Sequence, residues 1–135
     1  MDKGWWDLHL TEVNQHFVGQ RFSINNLPSR YKTTHLNESH FKSYGNSGAG
    51  AVSLALFGDA KKVVMLGFDC QFTGGASHWH GDHPRGLWNA RQIDRWPKLF
   101  ESLKNDNPEA CIVNASRVTA LNCFPKIPLE MALEL

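Results

Sequence analysis

Apolar residues change their spacing several times along the chain, and each change predicts an element. Trp5, Trp6, Leu8, Leu10, Val13 and Phe17 recur before Gly19, which predicts a short amphipathic helix over about residues 4–17. Residues 20–25 then alternate, with Arg21, Ser23 and Asn25 on one side and Phe22 and Ile24 on the other. That alternation reads as a strand, broken by Asn25-Asn26-Leu27-Pro28. Residues 29–46 are polar, carry His35, Asn37, Glu38, Ser39 and His40, and keep no period. They read as a long loop, or as a segment ordered by a ligand or partner.

The next stretch carries the strongest pattern. Ser47 is expected to cap a helix over 48–57 that is apolar on nearly every face, and Gly58 to end it in a left-handed conformation. Val63-Val64-Met65-Leu66 is an unbroken apolar run, the signature of a strand buried on both faces, and Ala110-Cys111-Ile112-Val113 repeats it. Between the two, Ile93, Trp96, Phe100 and Leu103 fall at helical spacing, with Pro97 tolerated in the first turn if Asp94 caps it. Strand, helix, strand in this order predicts a βαβ unit. A short helix is expected at about 129–133. We therefore expect a single α/β domain over 1–135, with a Rossmann-like three-layer parallel sheet.

Composition narrows the partners more than the fold. Fourteen Lys and Arg against 13 Asp and Glu give a net charge of +1, which offers no electrostatic reason for binding nucleic acid directly. No apolar run approaches the roughly 20 residues of a membrane span, and the charges spread through residues 1–20 leave no signal-peptide core. Cys70, Cys111 and Cys123 form no C-x-x-C pair. An odd set of this kind fits reduced thiols in a cytoplasm, with Cys111 and Cys123 as small core residues.

Three constellations can carry chemistry. Gly45-Asn46-Ser47-Gly48-Ala49-Gly50 opens the apolar helix, where backbone amides attract a phosphate or carboxylate. Its spacing is neither the dinucleotide fingerprint nor a Walker loop, and a plain turn with close helix packing is the alternative. Asp69 ends Gly67-Phe68-Asp69 at the carboxyl end of the first buried strand, where an acid can meet a ribose hydroxyl or a metal, or simply cap its loop. Third comes His78-Trp79-His80-Gly81-Asp82-His83-Pro84 after Gly74-Gly75. It reads as an active-site loop with one His as general base, as a divalent-metal site on His78, His80 and His83, or as a solvated loop. Arg85, Asn89 and Arg91 can add phosphate contacts.

The run from Asn46-Ser47-Gly48 through the small-residue helix and Gly58 to Gly67-Phe68-Asp69 resembles the second half of bacterial lipooligosaccharide sialyltransferases. It is similar as well to a family related to the archaeal hydroxymethylpterin pyrophosphokinases. Ile112-Val113-Asn114-Ala115-Ser116, with Ala120-Leu121 and Phe124-Pro125, looks like the closing strand and loop of that group. The His-rich loop and the Asn-Ala-Ser segment also look like tailed-phage proteins of a morphogenesis type. The likeness spans about 43–130. It implies a transferase acting on a nucleotide-linked donor, with Asn46, Ser47, Gly48, Gly50, Asn114 and Ser116 binding the nucleotide. His83 and Asp69 would be the catalytic pair, with His83 the base. The N-terminal nucleotide-binding half of those enzymes has no counterpart in the chain, so the expected sheet is N-terminally incomplete and Met1 stands where an interior residue would. A non-catalytic assembly factor on the same fold and a metal-dependent hydrolase on the histidines are the alternatives. The partners expected are a small phosphate-bearing ligand, a second copy of the chain, or a phage component in a host cytoplasm.

Overall fold

The computed structural model describes residues 3–37, 39, 41–76, 78, 80–84, 87, 89–90 and 92–134. The chain is a mixed α/β protein that divides into two compact units. One is Met1–Lys42 with His83–Leu87, the other Ser43–Asp82 with Trp88–Leu135. Among the described residues there are four α-helices and two separate parallel sheets of two strands each. No helix is long and apolar enough to cross a membrane.

The first unit is held by charged side chains around a helix. α1 (Lys3–His16) follows the predicted span and buries Trp6. The expected strand over 20–25 contracts to β1 (Phe22–Ser23). Its partner β2 (Thr34–His35) lies inside the stretch whose polar sequence predicted a loop. Two residues per strand are too few to show a period, so pairing, through Thr34 N to Arg21 O (2.7 Å) and Leu36 N to Ser23 O (2.8 Å), defines them. The Arg21 guanidinium is buried at the end of α1, where it donates to Val13 O (3.1 Å), Phe17 O (3.0 Å) and Asn14 Oδ1 (2.6 Å). It thus adds a second bond to Val13 O, which Phe17 N already reaches (2.9 Å), and binds Phe17 O just beyond the helix, with its charge at the negative end of the dipole. At the other end of α1, Lys3, Arg30 and the buried Tyr31 hydroxyl all donate to the Asp7 carboxylate. Those bonds, Lys3 first and Tyr31 next, lower the Asp7 pKa from 3.8 to about 2.

The second unit contains the βαβ element. α2 (Ser47–Phe57) precedes β3 (Lys62–Met65), and a short 3-10 turn (Ile93–Arg95) leads into α3 (Trp96–Asp106) and then β4 (Cys111–Asn114). β3 and β4 pair in parallel, Lys62 opposite Cys111 through to Met65 opposite Asn114. The core gathers Ala49 and Val52 of α2, Met65 of β3, Phe100 and Leu103 of α3, Ile112 of β4, and Leu121 and Phe124. Phe100 is its centre, in edge-to-face contact with Phe68 (5.7 Å between centroids) and Phe124 (6.4 Å). α4 (Leu129–Glu134) follows and buries Ala132, whose carbonyl accepts from Lys62 Nζ (3.1 Å).

Several local expectations need correction. Asn46, not Ser47, caps α2, because its Oδ1 reaches two helix amides. Gly58 has φ −80° and is not left-handed; the left-handed residue after the helix is Asp59, at φ 66°. Arg95 rather than Asp94 precedes α3, because Asp94 is taken into the 3-10 turn. β3 is fully buried only at Met65, since it has one strand neighbour instead of two. Cys111 is exposed rather than core, because it starts β4 at the outer end of the pair, while Cys123 packs partly buried against the core.

Replacing Arg21 with Met should destabilise α1 by about 2 kcal/mol, the scale of hydrogen bonds to a charged group, read as faster hydrogen exchange over 10–17. A second measurement concerns pH. Because the folded Asp7 pKa lies below its ordinary value, its contribution is complete above pH 3.8 and lost as pH falls towards about 2. Exchange protection of the α1 amides should therefore drop across that window in the native protein, and the drop should disappear in Asp7→Asn.

Candidate functional site

Two loops leave the carboxyl ends of β3 and β4, the position at which open parallel sheets bind ligands. Between them lies a cleft of about 880 Å³, large enough for a nucleotide-sized molecule. Leu66, Gly67, Asp69 and Thr73 line it after β3, and Ala115, Ser116, Arg117 and Val118 after β4. The segment from Lys126 to Glu130 closes the third side. All of these residues belong to the second unit.

A buried polar network sets the shape of this cleft. Asn114 ends β4 and is wholly buried. Its Oδ1 accepts from Ser116 N (3.0 Å) and its Nδ2 donates to Thr119 Oγ1 (3.1 Å). Across the cleft floor, Ser116 Oγ accepts from Phe68 N (2.8 Å), and Thr119 Oγ1 donates to Phe68 O (2.6 Å) while accepting from Leu121 N (3.0 Å). Ala120 N to Asp69 O (2.7 Å) adds a further tie. The Asn114 backbone joins the third wall, donating to Pro125 O (2.8 Å) and accepting from Ile127 N (3.2 Å). Three segments are thereby fixed to one another, and nearly every polar atom beneath the cleft floor has a partner, as burial demands.

The charged groups stand on the rim. Asp69 is half-buried, and its Oδ2 accepts from Thr73 Oγ1 (2.7 Å). Arg117, Lys126 and Glu130 are exposed, and Lys126 Nζ donates to Arg117 O (3.0 Å). The Arg117 guanidinium and the Glu130 carboxylate form no ion pair among the described residues. Two cations and two carboxylates thus face one opening, an arrangement able to take a phosphate on one side and a hydroxyl-bearing group on the other. Cys70 follows Asp69, and its pKa is pushed up to about 11, mainly by burial and then by the Asp69 charge. Burial raises the Cys123 thiol as well. Neither sulfur is a thiolate nucleophile near pH 7.

Of the residues expected from sequence to form a site, Asp69 and Ser116 meet in the cleft, and Asn114 lies buried beneath it. Asn46, Ser47, Gly48 and Gly50 open α2 and do not line it. Asn46 Oδ1 takes the amides of Gly48 (2.9 Å) and Ala49 (3.0 Å), and Asn46 O takes Gly50 N (2.8 Å). Gly48 packs closely, since a methyl there would stand 3.0 Å from Phe68 Cε1, which would have to give by a few tenths of an ångström. His83 begins the first unit's segment His83–Leu87, while His78 and His80 belong to the second unit. Arg85 and Arg91 lie outside the described residues, as do Glu38, His40 and Trp79. Sequence reasoning missed Thr73, Arg117, Thr119, Lys126 and Glu130. The Asn114-x-Ser116-x-x-Thr119 spacing after a buried strand was the available signal for Thr119, since hydroxyl and amide side chains bond backbone a few residues away.

No protein-family model, curated protein or solved structure matches this chain. The site therefore stands on its own geometry.

Asn114→Ala removes two side-chain bonds and strands the Ser116 amide in a buried place, a loss of about 2–3 kcal/mol. Chemical denaturation should report that loss, and Ser116→Ala, which strands Phe68 N, should report a smaller one in the same direction.

Proposed function

We propose that the second unit binds a small phosphate-bearing molecule, a nucleotide or nucleotide-linked donor, in the cleft beyond β3 and β4. One observation carries the reading: a nucleotide-sized opening at the carboxyl ends of parallel strands that presents the Asp69 carboxylate and the Arg117 guanidinium together. In this reading Arg117, with Lys126, takes the phosphate, because a guanidinium matches phosphate oxygens with paired donors. Asp69, held by Thr73, accepts hydrogen bonds from sugar hydroxyls. The strand pair is then the surviving part of a Rossmann-like parallel sheet, in keeping with the resemblance to sialyltransferases. A glycosyl-transfer step is what that resemblance adds to binding; His83, the base it implies, belongs to the other unit and is not part of the reading of this cleft.

Calorimetric titration with CMP and CDP tests the reading. Binding with a Kd of about 1 mM or tighter is expected, with Asp69→Asn and Arg117→Ala each weakening it about tenfold while the circular dichroism spectrum is retained. Absence of heat at about 5 mM nucleotide rejects nucleotide binding and leaves a non-catalytic assembly role as the successor reading.

A further inference from the structure

The loop that follows Thr73 is not used by the cleft, and it carries two imidazoles side by side. The rings of His78 and His80 are stacked, with centroids 5.1 Å apart and planes within 5° of parallel. A ring nitrogen of one lies within 4.8 Å of a ring nitrogen of the other. Two nitrogens on one tetrahedral ion with bonds near 2.0–2.1 Å stand about 3.3 Å apart, so a closure of about 1.5 Å or less brings both onto one ion. Binding one ion requires rotation about the side-chain bonds that closes this gap and turns each nitrogen lone pair, which lies in its ring plane, towards the shared position.

The backbone keeps the pair together. Gly81 N donates to His78 O (3.2 Å), closing a tight turn around His80, and Gly81 holds φ +84°, which a side chain rarely adopts. His80 is exposed, whereas His78 is half-buried with its Nε2 buried, so solvent reaches the pair from the His80 side. A hollow of about 400 Å³ beside them is lined by Phe72, Gly75, Ala76, His78, Gly81 and the carboxylate-bearing Asp82. Neutral imidazoles select late first-row divalent ions, zinc, nickel and copper, over magnesium or calcium, which prefer oxygen.

We propose that this loop binds one late first-row divalent cation through His78 and His80, independently of the nucleotide cleft. The probe is zinc chloride, titrated calorimetrically into the full chain after chelator treatment, with magnesium chloride as the comparison. One zinc per chain is expected, with no magnesium uptake under the same conditions. His78→Ala and His80→Ala should each weaken zinc about tenfold or more, with unchanged circular dichroism because the loop is outside the core. Cobalt added to the native protein should give visible absorption bands that both substitutions remove. No zinc bound at about 100 μM, or native affinity in both substituted proteins, overturns the proposal.

Discussion

The second unit depends on one constraint: two parallel strands end together, and their exits must be tied without a third strand between them. Asn114 meets that constraint. Its amide faces the Ser116 nitrogen and the Thr119 hydroxyl, and through these two residues both polar groups of the Phe68 peptide are satisfied. A parallel pair cannot be closed by a hairpin, so its loops would otherwise splay with buried, unpaired backbone groups. Polar side chains therefore do beneath the cleft what a neighbouring strand does in a wider sheet. The isolated parallel bridge between Asn114 and Lys126 extends the same logic to the last wall.

This accounting also decides what Asn114 can do. Its oxygen and one amide hydrogen are committed inside the fold, and the residue has no exposed surface. A ligand in the cleft can thus be shaped by Asn114 but not touched by it. The same reasoning applies to Asn46, whose oxygen takes two amides at the start of α2. An anion at that helix start would compete with a cap already in place, whereas no carboxylate among the described residues pairs with Arg117. The proposed polar contacts therefore lie at the strand ends rather than at the glycine-rich turn.

Much of the second unit was legible because its elements are long enough to show a period. The spacing of Ile93, Trp96, Phe100 and Leu103 predicts a helix, and Phe100 and Leu103 are the residues that α3 buries. The apolar runs around Val63 and Ile112 predict the parallel pair, and they do pair. Asp69 was legible as a site residue because its place after a buried strand is a property of chain order. The rim was not, since Arg117 and Lys126 sit outside helices and strands where no periodicity exists to read, and nothing in the pattern of the short helix α4 singles out Glu130. In the first unit, β2 consists of Thr34 and His35 in a polar stretch, and its existence follows from Arg21 and Ser23 lying opposite rather than from its own residues. Asn114 drew attention because the resemblance implied a ligand contact; its burial and its bonds to Ser116 and Thr119 make it a brace beneath the cleft.

The two units use charge in opposite ways. In the first, Asp7 gathers three donors and Arg21 fills the end of α1, so its named charges serve structure. In the second, neutral Asn, Ser and Thr side chains carry the bonds beneath the cleft, and the charges of Asp69, Arg117, Lys126 and Glu130 stand on its rim. A charge committed to several internal hydrogen bonds is costly to redirect, because breaking them leaves partners unpaired. A charge on an exposed rim gives up only water when a ligand arrives. That difference is the physical ground for proposing Asp69 and Arg117 as the residues that meet a ligand in the second unit.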